Sequence, residues 1–445
     1  MKSSKIYDIL GIGIGPFNLG LAALADKIEN LAHGTQKLNS IFFDQQHTFN
    51  WHAGMLLDKA RLQVPYYADL VTLADPTNRF SYLNYLHATQ KLFALGITEE
   101  YVITRKQYNE YCKWVVEQLP NLFFGMECKS IHYHKSSKLF CVRLQDTSSG
   151  STLTYRAKKI VIGVGSIPSV PECAQPFLGD HMIHSANYLF AKEKLLKKRK
   201  ITIIGSGQSA AEIFYDLLHH PECFDNLFMF TRAPDFFPMD YSRFALEKTT
   251  PDYIDYFYSL SDEKKKQILN RQNHLFKGIN FQLIADIHDA LGAHRLSYPF
   301  KKIGLVTSSE LRHIELFADN VDKTKIRTTF YHDEMEKEFI HSTEAIILAT
   351  GYKYVTPDFL QPVKELIRWR TDGLYDVQKN YSIDQASTIF VQNAELHTHG
   401  FNAPDLGMGP YRNAIILNTI LGKEHFKIEK NTPFQDFGIP PEDEP

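Results

Sequence analysis

ILGIGIGPFNLG, from Ile9 to Gly20, continues an apolar run that begins at Ile6 and then opens a segment with helical spacing of its apolar residues. An apolar run that ends in glycines and feeds a helix reads as a buried parallel strand entering a nucleotide-binding turn. Gly11 permits the tight turn, and Gly13 lets backbone N–H groups approach a pyrophosphate resting on the helix N-terminus; Gly15 and Pro16 complete the bend. The same signature recurs at Ile203 to Glu212, IIGSGQSAAE, after the strand Ile201 to Ile204. There Gly205 and Gly207 take the two glycine roles, and Gln208 and Ser209 open the helix. One such turn is a weak signal. Two, one domain length apart, predict two dinucleotides, most simply FAD and a nicotinamide cofactor, and therefore an α/β fold with two Rossmann-like dinucleotide-binding domains.

Between the fingerprints, a helix from about Pro16 to Ile28 leads to a strand, Ser40 to Phe43, that ends at Asp44. A carboxylate there is placed to accept the ribose hydroxyls of an adenosine. Lys159 to Gly165 reads as a further buried strand. After the second fingerprint, Asn226 to Phe230 forms a strand ending at Arg232; an arginine where an NAD enzyme carries an acid favours a 2′-phosphate, hence NADPH. Residues 251–293 are polar, lysine-rich and helical in period, with Tyr253, Tyr256, Phe257 and Tyr258 on an inner face. The strand Glu344 to Ala349, followed by Thr350, Gly351 and Tyr352, is expected to return the chain to the first domain. The expected division is a flavin domain over 1–195 and 343–445, and an NADPH domain over 196–342 with a helical insertion at about 238–300. The acidic, proline-rich tail Ile439 to Pro445 reads as disordered.

Composition agrees with a multidomain globular chain: 445 residues, 44% hydrophobic, 22% charged, net charge −2. With no basic excess to displace counterions, nucleic-acid binding is not expected. The five cysteines stand singly, with no C-x-x-C, which excludes a redox disulfide motif and suggests reduced thiols. Lys2 and Lys5 ahead of an apolar stretch resemble a signal peptide, but Asp8, Asn18 and the glycines interrupt it. No segment has the apolar length of a membrane span, and a cytoplasmic location is expected. His397 and His399 could share a face in a strand, but no third ligand is apparent and no metal is expected.

Several stretches together carry a specific likeness: GIGIGPFNL at Gly11 to Leu19, WHAGM at Trp51 to Met55, Gln63, DLVTLADPT at Asp69 to Thr77 and SYLNYL at Ser81 to Leu86. To these add GSGQSA at Gly205 to Ala210, ATGY at Ala349 to Tyr352 and NAELHTHG at Asn393 to Gly400. From about Ile6 to Leu421 the chain resembles the flavin-dependent N-hydroxylating monooxygenases, the lysine and ornithine N-monooxygenases of hydroxamate siderophore biosynthesis. Pro16, where a generic fingerprint has its third glycine, follows that family's pattern. The resemblance implies that NADPH reduces FAD, that the reduced flavin activates O2, and that a neutral primary amine attacks the activated oxygen to give a hydroxylamine. It places Asn18, Trp51, His52, Met55, Gly351, Tyr352 and Gly407 at the cofactors and Gln63 beside the flavin, where an amide donates a hydrogen bond without acting as an acid. By analogy the family also implies a homo-oligomer, a tetramer.

Two departures bear on the amine. The lysine and ornithine enzymes read F-L-K-D-L before their D-P motif, and the resemblance assigns that lysine to the substrate carboxylate; this chain reads Tyr66, Tyr67, Ala68, Asp69, Leu70. A buried carboxylate without a partner costs several kcal/mol, roughly, so an amino acid is expected to bind poorly. Leu246 and Leu275 align near two asparagines that hold the amino-acid end of ornithine. The second departure is Asp405, within FNAPDLGMG at Phe401 to Gly409, where the family has an uncharged residue. Asp405 either pairs with a distal cation of the substrate or caps the following helix. Losing a cation and gaining an anion favours a decarboxylated amine, namely cadaverine, putrescine or histamine, with L-lysine or L-ornithine as the alternative. A flavin-binding redox sensor is the alternative of another class.

Overall fold

A computed structural model describes residues 2–29, 38–318 and 324–439. The first fingerprint lies at the centre of a seven-stranded sheet ordered Leu122–Phe123, Ser40–Phe43, Lys2–Ile12, Thr152–Ile162, Leu139–Asp146 and Met126–His134, with Ile389–Val391 also paired to Thr152–Ile162. Thr152–Ile162 begins before the expected strand because, besides Lys2–Ile12, it serves two partners on its other edge. Its start pairs antiparallel with Leu139–Asp146, and Ile160, Val161 and Ile162 pair in parallel with Ile389–Val391. The helix Pro16–Glu29 packs over this sheet and against Met408–Leu421, and Leu19 and Leu21 to Ala25 are fully buried. A helix enclosed on all sides needs apolar residues all round, which this stretch supplies.

The second fingerprint sits in a five-stranded parallel sheet ordered Lys302–Val306, Asn226–Phe230, Lys200–Ile204, Ala345–Leu348 and Met182–His184. Here the structure corrects the expected topology. Ala345–Leu348 pairs with Lys200–Ile204 and Met182–His184, so this strand completes the second sheet, and the chain rejoins the first sheet only at Ile389–Val391. Sheet membership therefore does not coincide with divisions at 195/196 and 342/343. The reason is that a strand apolar on both faces suits any parallel sheet, and the sequence pattern does not say which.

A three-stranded antiparallel sheet, Ser309–Ala318, Thr324–His332 and Lys337–Thr343, went unread in the sequence. It covers the second sheet, and the Phe230 and Phe330 rings stack 4.4 Å apart. The stretch read as a helical insertion divides into two parts. Pro251–Ser259, Asp262–Arg271 and Asn273–Phe276 gather Tyr253, Phe257 and Leu275 with Ala245 and Phe401 into an apolar cluster of their own. Phe281–Ser297 packs instead on the second fingerprint helix, Gln208–Leu218, as the crossover between two parallel strands.

Residues 431–437 strap the insertion. Asn431 and Thr432 donate backbone N–H groups to Asp252, Gln435 donates to Glu247, and Phe437 stands edge-on to Tyr253 at 4.9 Å. The rest of the tail, 440–445, lies outside the described residues. His397 and His399 fall on a helical turn, Leu396–His399, where residues two apart point in different directions. His397 contacts the Tyr375 carbonyl at 2.7 Å, and His399, 1% exposed, stacks on Tyr381 at 4.4 Å.

Candidate functional site

The two cradles are built from the same turn. Gly13 has φ +88°, and a Cβ there would lie 2.3 Å from the Gly163 carbonyl oxygen; Gly205 has φ +143°, and its Cβ would lie 2.2 Å from the Ala349 carbonyl oxygen. Both turns thus press against the end of a neighbouring strand and exclude any side chain. Pro16 is the first residue of its helix, where its fixed φ suits the turn and its missing N–H costs nothing. Gly207 precedes Gln208–Leu218 with no side chain capping that helix, so its first N–H groups stay open to an anion.

Asn18 supports the first cradle from behind. Its amide nitrogen donates to the Ile12 and Gly13 carbonyls at 3.2 and 2.8 Å, and its oxygen accepts from Gln392 at 2.8 Å. Asp44 accepts the Ile14 and Gln46 N–H groups at 2.7 and 2.8 Å, one on each oxygen, and each oxygen keeps a lone pair for a ribose. At the matching place in the second cradle stands Arg232, exposed and without a carboxylate partner among the described residues. Lys277 is close enough that, after burial, the Arg232 charge pushes its ammonium below the ordinary range. An exposed cation without an acidic partner at the end of Asn226–Phe230 fits a 2′-phosphate. Lys277 carried no sequence signal, because it comes from the far side of the insertion.

The segment between the cradles forms their seam. Trp51 donates its backbone N–H to Asn109 at 2.8 Å, and its ring meets Tyr108 at 5.2 Å. His52, in the left-handed conformation at φ 54°, lies between Trp51 and Tyr352, at 4.7 and 5.8 Å. The surrounding protein, and then the charge of Arg105, push its imidazole down to about 4. Gly351 presents its carbonyl to His184 at 3.0 Å, and Tyr352 closes the same wall. Gln63 donates to the Gln208 side chain at 3.3 Å, so the first unit's candidate glutamine touches the second fingerprint helix. Buried Met55 offers its carbonyl to Arg105 at 2.7 Å, and Arg105 makes a two-pronged pair with Glu212 at 3.0 Å on each prong. Arg105 and Glu212 went unread, since single charged residues on two helices 107 positions apart are unremarkable in sequence.

On the amine side, Ala68 is 3% exposed. A Cβ built on Gly407 would lie 3.1 Å from Asp405 Oδ1 and 3.3 Å from the Ala68 Cβ, so the structure brings the two departures to one place. Asp405 Oδ1 accepts the Gly407 and Met408 N–H groups at 2.7 and 3.3 Å, which is the helix-capping role. Asp405 Oδ2 has no hydrogen bond to the described residues. Burial raises the Asp405 carboxyl above its usual range, and it is near enough to affect Tyr241, whose buried hydroxyl lacks a partner. The loop is held from below by Arg412, which donates to the Ala403 carbonyl at 2.6 Å and pairs with buried Glu395 at 3.0 Å. Tyr66 stacks with Tyr101 at 6.5 Å, and Tyr67 is 43% exposed beside it. Leu275 is buried in the insertion cluster, whereas Leu246 is 48% exposed on Arg243–Leu246.

Residues 5–354 match the L-lysine 6-monooxygenase/L-ornithine 5-monooxygenase family. A putrescine N-hydroxylase of Shewanella oneidensis is 44% identical over 433 residues, covering 97% of this chain and 84% of that protein. The crystal structure of a desferrioxamine-pathway cadaverine monooxygenase from Erwinia amylovora, bound to FAD, is 43% identical with a TM-score of 0.93, covering 98% of this chain and 99% of the other. An ornithine N-hydroxylase from Kutzneria sp. 744, solved with reduced FAD, NADP+ and L-ornithine, shares the fold at 23% identity and a TM-score of 0.84, covering 94% and 99%. The cofactors are FAD and NADPH, and the residues of both cradles fit them. The chain belongs to the L-lysine 6-monooxygenase/L-ornithine 5-monooxygenase family and is a flavin-dependent amine N-monooxygenase.

Proposed function

We propose that the substrate is a small aliphatic diamine of the putrescine or cadaverine type, hydroxylated on one nitrogen to supply a hydroxamate siderophore pathway. The observation that carries this is that Ala68 and Asp405 both flank Gly407: where the family carries a cation for the substrate carboxylate this chain has alanine, and an acid stands nearby. The names of the similar proteins from Shewanella and Erwinia support the same class.

Bound FAD and NADPH supply hydride transfer and O2 activation. The protein positions the rest. Asp44 and the first turn hold one nucleotide, and Arg232 with Lys277 holds the phosphate of the other. Asp405 Oδ2 takes the distal ammonium while Oδ1 keeps its helix N–H groups. The reacting amine must be neutral, so that its lone pair is free to attack. Gln63 offers an amide donor at the seam. In this reading the enzyme works in the cytoplasm as a homotetramer.

The test is an amine panel with NADPH, O2 and hydroxylamine detection. Cadaverine or putrescine should couple NADPH oxidation to hydroxylamine far better than lysine or ornithine. Asp405→Asn should raise KM for diamines about ten- to a hundredfold, the worth of one charge-assisted hydrogen bond, and leave a monoamine nearly unchanged. Efficient coupling with lysine, or equal effects on diamine and monoamine, defeats the reading.

A further inference from the structure

We propose that Glu212 is a positioning residue that keeps the two nucleotide-binding units in register across their seam. It stands on the second fingerprint helix, one turn beyond Gln208, with its side chain 4% exposed. Its Oε2 and Oε1 accept from the two terminal nitrogens of Arg105, at 3.0 Å each. Arg105 is the first residue of Arg105–Gln118, fixed there by a capping box between Thr104 and Gln107, and its side chain is 12% exposed.

The contacts close into a ring. Arg105 also donates to the Met55 carbonyl at 2.7 Å, and Glu212 Oε1 also accepts from Gln208 at 3.0 Å. Gln208 Oε1 accepts from Gln63 at 3.3 Å and from the Asn280 N–H at 2.8 Å. The ring leaves the first unit at Met55, passes through Glu212 and Gln208 of the second, and returns to the first at Gln63. Sliding or rotating one unit against the other must break a charged link that is almost out of water, where an abandoned partner is costly. An exposed pair would hold little. Gln208 is held at both ends of its amide, so Glu212 also fixes which way that amide faces.

This inference rests on the reading that FAD lies on the first cradle and NADPH on the second. Hydride transfer between them depends steeply on distance and angle, so loosening the ring should show in transfer before it shows in binding. Glu212→Gln keeps the shape and removes the charge. In the FAD-loaded protein without O2, its flavin reduction by NADPH should slow about ten- to a hundredfold, with Glu212→Asp intermediate. The NADP+ dissociation constant, read from the flavin spectrum, should change less than the rate. In air, the hydroxylamine formed per NADPH consumed should fall.

A stabilising pair without a positioning role predicts a lower Tm with wild-type flavin reduction and coupling below the melting point, and that result overturns the proposal. If Glu212→Gln does not fold, the paired Arg105→Gln and Glu212→Gln variant, which leaves no lone charge, carries the test by the same criterion. Gly205→Ala separates the underlying reading: full NADPH-driven reduction in that variant removes NADPH from the second cradle, whatever the Glu212 variants do.

Discussion

The two cradles share one backbone and differ at one place. Each has a parallel strand, a turn of glycines pressed against a neighbouring strand end, and a helix whose N-terminus faces the turn. At the end of the next strand the first cradle carries Asp44 and the second carries Arg232, whose charge reaches Lys277. The backbone meets the demand common to all dinucleotides, a pyrophosphate without room for a side chain. The strand-end residue differs in charge, and on the proposed reading the acid suits hydroxyls and the cation a phosphate. On the proposed reading the amine site has no such division, since its selectivity would rest on side chains alone.

The largest expected effects test the shared part. Gly13→Ala should cost FAD retention and several kcal/mol, roughly, of stability, because its backbone conformation and the Gly163 carbonyl both oppose a Cβ. Gly205→Ala should leave FAD bound and abolish NADPH oxidation. Absorbance of purified protein and a steady-state NADPH assay separate the two, and identical phenotypes would break the comparison.

The differing part comes next. Arg232→Ala should raise KM for NADPH about ten- to a hundredfold with little change for NADH, and Lys277→Ala should repeat this more weakly. Equal losses with both nucleotides would mean that the second cradle does not read the phosphate there.

Ala68→Lys asks whether the amine pocket can be switched by charge as the cradles are. It should lower diamine turnover about tenfold through repulsion of the distal ammonium, and Asp405→Asn in the same chain should recover part of it. An unchanged diamine KM in Ala68→Lys would place the distal cation elsewhere.

An effect of another kind, on stability and not on turnover, concerns His399, stacked on Tyr381. Burial pushes buried His399 down to about 3, below the ordinary histidine value of 6.5, so the unfolded chain takes up a proton that the folded chain refuses. Stability is therefore full above pH 6.5 and falls as the pH drops from there toward 3, by about 2 kcal/mol between pH 6.5 and 5. His399→Gln should flatten the fall of Tm over that window.

Both cradles were legible because they depend on local requirements. A strand needs an apolar run, a turn against another strand needs glycine, and a helix start accepts proline; Gly13, Gly205 and Pro16 declare these in sequence. The return of the chain was not legible. Ala345–Leu348 is apolar on both faces, and only the competition between two parallel sheets assigned it to the second. The antiparallel cover over Phe230 was missed because its exposed faces dilute the pattern.

By itself the sequence determined that two dinucleotides bind, that the chain resembles the N-hydroxylating monooxygenases, and that Ala68 and Asp405 depart from the amino-acid hydroxylases. Only the tertiary structure decided that those two residues both flank Gly407, that Lys277 comes within range of the Arg232 charge, and that Glu212 links Arg105 to Gln208. The physical reason is range. Backbone constraints act over a few residues and leave a mark in order and spacing, whereas a charge pair forms between segments more than a hundred residues apart and leaves none.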